Sequence, residues 1–246
     1  MSDEWDNLKI LPDKQALVQY TAERIVRLAT ATLELNEQFS IALSGGSTPK
    51  PVYEMLADKF DPFMDWSRIH LFFGDERNVP PDDEGSNYRM VKEALLDKID
   101  IPDDNVHRIK GEDYPDEAAE AYAKEIADFF AGEEGYFDLN LLGMGDDGHT
   151  ASLFPGTEAV HEKEKLVIAH HVEAKGNFFR VSQTFPVILG SANIMFLVSG
   201  EGKAEALKAV LEGEFAPDTY PSQVIARSEH PHVVWAVDAD AAKLIE

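Results

Sequence analysis

The sequence predicts an α/β fold with a mostly parallel sheet covered on both faces. Three observations point there. Short, nearly continuous apolar runs recur at residues 39–43, 69–73, 137–142, 194–198 and 233–237, as strands buried on both faces do. Amphipathic helical stretches alternate with those runs. Several runs end in loops rich in glycine, serine or charge, where an open parallel sheet places its ligands.

Each element has its own signal. After Asp13, a suitable helix cap, apolar residues fall at Val18, Ala22, Ile25, Ala29 and Leu33, three or four apart, which predicts a helix with one buried stripe. The strand at 39–43 ends in Ser44-Gly45-Gly46-Ser47-Thr48-Pro49, and proline suits the first turn of a helix around 51–56. Beyond the strand at 69–73, a loop over 74–85 leads to Ser86, which can cap a helix through Met90, Ala94 and Leu95. The acidic stretch 112–120 opens a third helix, with Ala119, Tyr122, Ile126 and Phe129 on one face. The strand at 137–142 runs into Gly143-Met144-Gly145-Asp146-Asp147-Gly148. Apolar runs follow at 166–168, 194–198 and 233–237. The middle one passes through Ser199-Gly200-Glu201-Gly202 into a helix with Ala204, Leu207 and Val210 on one face. Arg180 lies on an alternating segment, with Ser182 and Thr184 on the same face. No repeat, low-complexity tract or linker divides the chain, so residues 1–246 read as one domain.

Composition narrows the function. With 22 basic and 46 acidic residues the net charge is −24, which opposes nucleic acid and anionic membranes, whose binding draws on Lys and Arg. An anionic small substrate remains open if local cations and backbone N–H groups overcome the field. The absence of cysteine excludes disulfides, thiol nucleophiles and thiolate metal sites, and makes the cytosol the expected location. The start, Met1-Ser2-Asp3-Glu4-Trp5-Asp6, has no apolar core and does not read as a signal peptide, and no run approaches the length of a membrane span. The oligomeric state is left open, a monomer being compatible with the composition.

The loops carry the chemistry. In Ser44 to Pro49, two glycines admit close approach of the backbone, hydroxyls can donate, and a helix start presents free N–H groups. A phosphate cradle and a plain strand-to-helix turn fit this loop equally. It is neither a Walker loop, lacking Gly-Lys-Ser/Thr, nor a nucleophile elbow, because position 42 is Ala. Gly143 to Gly148 fits G-x-G-x-x-G, but two carboxylates inside it would repel a pyrophosphate, and Pro155-Gly156 ends any helix too soon for a crossover. The same carboxylates suit a base: Asp147 stands two residues before His149 and can orient the imidazole and stabilise its protonated form. Asp75 and Arg77 follow an apolar run, offering a carboxylate for sugar hydroxyls and a cation for an anion, although a surface salt bridge would look the same. Lys203, at a helix start, opposes the helix dipole and asks for an anion nearby. His170-His171 and His230-Pro231-His232 lack helical i,i+4 spacing and a carboxylate set, so no metal or other cofactor is expected.

Together, Ser44-Gly45-Gly46-Ser47-Thr48-Pro49, Gly74-Asp75-Glu76-Arg77-Asn78-Val79-Pro80 with Ser86-Asn87-Tyr88, and the stretch from Gly143 through His149-Thr150-Ala151-Ser152-Leu153-Phe154-Pro155-Gly156 resemble the 6-phosphogluconolactonase family, in order and over residues 40–235. The resemblance implies a three-layer αβα, Rossmann-like domain shared with glucosamine-6-phosphate deaminases. It implies hydrolysis of a phosphorylated sugar lactone, 6-phospho-D-glucono-1,5-lactone, in the oxidative pentose phosphate pathway. His149 would activate water with Asp147 beside it. Arg77, Arg180 and Lys203 would hold phosphate or polarise the carbonyl, and Ser44, Gly45, Gly46, Ser47, Thr48, Asp75 and Asn78 would complete the substrate site. Gln183 departs from the pattern, standing where an apolar residue is usual. The deaminases carry a glutamate where this chain has Phe154, a side chain that transfers no proton.

Overall fold

The computed structural model describes residues 7–132, 135–173 and 178–246; the segment Met1 to Asp6 lies outside the described residues. Seven strands form one fully parallel sheet: β1 (Leu8–Leu11), β2 (Phe39–Leu43), β3 (Ile69–Phe73), β5 (Val106–His107), β6 (Leu139–Gly143), β9 (Ile194–Val198) and β10 (Val233–Asp238). Their order is β1-β10-β9-β6-β2-β3-β5. From β2 the chain builds outward through β3 to β5; from β6 it builds the other way through β9 to β10. The direction therefore reverses between β2 and β6, where doubly wound sheets open a crevice beyond the strand ends.

Buried side chains form two clusters, and in β9 and β10 the pleat divides them. Met195, Leu197, Val234 and Ala236 join one; Ile194, Phe196, Val198, Val233, Trp235 and Val237 join the other. Period-two alternation between two apolar faces is what makes these strands read as continuous apolar runs. Helix α1 (Lys14–Leu35) starts where the Asp13 carboxylate accepts the Ala16 N–H at 2.8 Å, and buries Leu17, Val18, Thr21, Ala22, Ile25 and Ala29. Helices α2 (Lys50–Met55), α3 (Asn87–Ala94), α4 (Pro115–Phe129), α6 (Ala204–Glu212) and the short α5 (Phe185–Leu189) and α7 (Gln223–Ala226) complete the helical layers. Among the described residues no helix is long and apolar enough to cross a membrane.

One expectation needs correction. Residues 74–85 are not all loop: Asp75–Arg77 form a strand, β4, in a separate antiparallel sheet with β7 (Val167–Val172) and β8 (Phe178–Gln183), in the order β4-β8-β7. This small sheet hangs from the large one at Gly74, whose N–H donates to Leu43 O at 2.9 Å and whose carbonyl accepts from Gln183 N–H at 2.9 Å.

Gln183 proves to be a polar contact inside that junction. Its side chain is buried and exchanges two hydrogen bonds with Asn140 of β6: Asn140 Nδ2 donates to Gln183 Oε1 at 2.8 Å, and Gln183 Nε2 to Asn140 Oδ1 at 2.9 Å. The amide pair ties the small sheet to the large one. Gln183→Leu is expected to lower stability by about 1–3 kcal/mol, because Asn140 keeps a buried carbonyl without a donor. Changing both residues to leucine should recover part of that loss. Urea unfolding of the two variants checks this.

Candidate active site

The crevice is a cleft of about 320 Å³ lined from all four of the loops expected to hold ligands. Its parts come from the loop after β2 (Ser44 to Pro49), from β4 (Asp75, Arg77), from the loop after β6 (Gly143 to Asp146, His149) and from Ser199 and Lys203 after β9. Arg180 of β8, Asn87 of α3 and the turn residues Ala151, Ser152 and Phe154 close it.

The loop after β2 is braced by Tyr53 of α2. The Tyr53 hydroxyl donates to Ser44 O at 2.7 Å and accepts the Ser44 N–H at 3.0 Å, so one side chain satisfies both backbone polar groups of Ser44. Burial raises the Tyr53 phenol well above its ordinary value, which keeps it a donor. Gly45 has no room for a side chain, since a Cβ there would sit 1.9 Å from Asn87 Oδ1. Gly46 turns the chain at φ +103° and leaves Ser47 exposed at the cleft. Tyr53→Phe keeps the packing and removes both bonds. It is expected to cost about 1–3 kcal/mol and to raise the substrate KM several-fold, read by thermal unfolding and steady-state kinetics.

On β4, alternation sends Asp75 and Arg77 to one side and Glu76 to the other. Glu76 is buried and accepts from the backbone N–H groups of Arg77 (2.7 Å), Asn87 (2.7 Å) and Tyr88 (2.8 Å) and from the Ser86 hydroxyl (3.0 Å), pinning β4 to the start of α3. Burial pushes the Glu76 carboxyl up, and the four hydrogen bonds oppose that shift. Ser86 also caps α3 by accepting from Arg89 N–H. Asp75, buried, receives Asn87 Nδ2 at 3.2 Å and the Ser152 hydroxyl at 2.6 Å.

Arg77 stands directly opposite Arg180 in the antiparallel register of β4 and β8. Like charges so placed repel each other. Burial, and then the nearby Arg77, lower Arg180 from its ordinary value, while Asp75 and Glu76 pull it back up. A guanidinium titrates so high that it keeps its charge. Lys203 ends the turn Glu201–Lys203 before α6 and faces the same cleft, and the loop before it is fixed by Asp238, which accepts from Ser199 Oγ and from Gly200 N–H. Three cations therefore meet in one cleft of an otherwise acidic protein, which suits a small anion.

Residues 149–157, directly after Gly148, form no helix, so the loop after β6 is not a dinucleotide turn. It folds back on itself: Gly145 N–H donates to His149 O at 2.8 Å, Gly148 N–H to Gly145 O at 3.2 Å, and Thr150 Oγ1 to Gly143 O at 2.9 Å. Gly148 takes φ +75° against Tyr220. The Asp147 carboxylate accepts from His149 Nδ1 and from His149 N–H. Because a carboxylate only accepts, Nδ1 carries the proton and Nε2 of the neutral ring is the basic nitrogen. The Phe154 ring packs on the imidazole with centroids 4.1 Å apart.

Asn78 is placed elsewhere. Its amide donates to Gly111 O at 2.6 Å and Asp113 O at 2.8 Å and braces that turn, outside the cleft lining. His170 and His230 hold backbone carbonyls, of Ser152 and Ser191. Asn87, Asp146, Ser152 and Ser199 line the cleft without having been singled out from sequence. Asn87 and Ser152 sit inside quoted motifs, but nothing in their local pattern marks a cleft residue.

Residues 12–235 match the model of a family described as glucosamine-6-phosphate isomerases/6-phosphogluconolactonase. The chain is 38% identical over 238 residues to the 6-phosphogluconolactonase of a Nostoc species, covering 95% of this chain and 96% of that one. It is 39% identical over 240 residues to that of a Synechocystis species, with the same coverage. The solved structure of 6-phosphogluconolactonase from Trypanosoma brucei superposes with a TM-score of 0.86 at 30% identity, covering 98% of both chains.

Proposed function

The chain belongs to the family of glucosamine-6-phosphate isomerases and 6-phosphogluconolactonases, and from this premise we propose that it hydrolyses 6-phospho-D-glucono-1,5-lactone to 6-phospho-D-gluconate. The observation that carries this reading is the meeting in one cleft of a carboxylate-oriented imidazole with Arg77, Arg180 and Lys203. A base and an anion site sharing one cleft suit a substrate that carries both a phosphate and an electrophilic carbonyl.

His149 Nε2 takes a proton from water as the oxygen attacks the lactone carbonyl, and Asp147 stabilises the imidazolium through Nδ1–H. The carbonyl electrons move to oxygen, and the oxyanion is met by one of the three cations or by a loop N–H. Collapse breaks the bond to the ring oxygen, which leaves with the proton held on Nε2. The remaining cations hold the phosphate, with Asp75 and the loop from Ser44 to Thr48 on the sugar. Binding of the remote phosphate fixes the carbonyl over the water, so it contributes to turnover as well as affinity. Its proposed setting is the cytosol and the oxidative pentose phosphate pathway, a reading supported by the names of the relatives and compatible with the cysteine-free composition.

Offering the protein 6-phosphogluconolactone and glucosamine 6-phosphate in parallel tests the reading. Acid release from the first, with no ammonia from the second, is the expected pair of results. Ammonia release without lactone hydrolysis would refute it.

A further inference from the structure

Resting on the lactonase reading, we propose that Ser152 is a positioning residue whose hydroxyl sets the Asp75 carboxylate and so couples the turn bearing His149 to the strand bearing Arg77. The link is direct and buried: Ser152 Oγ donates to Asp75 Oδ2 at 2.6 Å, leaving the other carboxylate oxygen to Asn87 Nδ2.

Ser152 is itself fixed from two further sides. Its N–H donates to Ser182 Oγ of β8 at 3.1 Å, and its carbonyl accepts from His170 Nε2 of β7 at 2.6 Å. The carbonyl can only accept, so Nε2 carries the His170 proton. Burial lowers His170 from its ordinary value and favours this neutral ring, whose Nδ1 is buried with no hydrogen-bond partner among the described residues. All three polar groups of one serine are thus committed, each to a different strand of the small sheet.

The preceding residue shows what this arrangement maintains. Ala151 has φ +48°, the left-handed region that a residue with a Cβ avoids. Such a conformation persists where its neighbours over-determine it. Thr150 is held by Gly143 O and by its bridge to Leu153, and Ser152 by the three bonds above. The turn at Ala151 lets His149 and Ser152 line the same cleft, with Ser152 reaching Asp75.

A double-mutant cycle tests this role, using kcat/KM for lactone hydrolysis by wild type, Ser152→Ala, Asp75→Ala and the double variant. Ser152→Ala is expected to lose roughly tenfold or more, as for a lost hydrogen bond to a charged group, but less than about threefold when Asp75 is already alanine. Equal losses in both backgrounds would overturn the role, because a merely structural serine would cost the same with or without Asp75. Thermal unfolding shows whether each variant is folded; if Ser152→Ala is not, Ser152→Cys, with a weaker donor of similar shape, takes its place in the cycle. Wild-type protein inert toward the lactone would remove the lactonase reading and this role with it, whereas an active wild type with an additive cycle removes the role alone.

Discussion

Replacing His149 by alanine is expected to lower kcat for lactone hydrolysis by roughly 10²–10⁴-fold, the usual contribution of a positioned general base. The imidazole is the one such ring among the described residues lining the cleft, and Asp147 on Nδ1 leaves Nε2 as the nitrogen that can take a proton. Its loss leaves the cations and the loop N–H groups in place, so KM should change far less than kcat. Folding should survive, because His149 is partly exposed and the turn around it rests on backbone bonds from Gly145 and Gly148 and on Thr150. A fall in kcat/KM carried by KM alone would instead make His149 a substrate contact. Steady-state kinetics on folded variant protein, corrected for spontaneous hydrolysis, separates the two.

Gly145→Ala is expected to be nearly as damaging, although alanine adds only one carbon. A Cβ at that position would lie 2.0 Å from His149 Nδ1 and 2.4 Å from Asp147 Oδ1. Real Cβ atoms do not approach heavy atoms so closely, so either the imidazole or the carboxylate must leave its place. Moving reacting groups by about 1 Å can cost on the order of 100-fold in rate. The predicted signature is a hundredfold or greater loss in kcat with a modest drop in thermal stability, since the displaced groups lie at the cleft rather than in the core. Wild-type kcat in Gly145→Ala would mean that the His149–Asp147 contact does not support turnover.

The contact between Asp147 and His149 was legible in the sequence. The pairing of Asp147 with His149 is local, two residues apart on a loop, and needs no knowledge of the fold. The buried strands β2, β3, β9 and β10 were legible for a related reason: both faces are covered, so their sequences are nearly continuously apolar. The caps Asp13 and Ser86 were legible because a helix start has its own chemistry. What failed to show was set by distant partners. β4 is Asp-Glu-Arg, without apolar periodicity, and becomes a strand only because β8 pairs with it; its charges face a cleft and a helix start rather than a core. Arg77 and Arg180 were marked by the family resemblance and not by their local pattern, and only the β4–β8 pairing shows that they stand opposite each other. Asn78 shared a motif with Arg77, yet its amide serves the turn at Gly111 and Asp113, because one residue along a chain leaving a strand faces another way. Gln183 looked like a misplaced polar residue, and its reason lies in Asn140 of another sheet.

The most direct test of the central claim is the initial rate of proton release from freshly prepared 6-phosphogluconolactone, measured with catalytic amounts of wild-type protein beside His149→Ala and a protein-free control. The structure predicts strong acceleration by the wild type that falls nearly to the control in the variant. Wild-type protein that is folded but no faster than the control would contradict the lactonase assignment, and equal acceleration by both proteins would contradict His149 as the base.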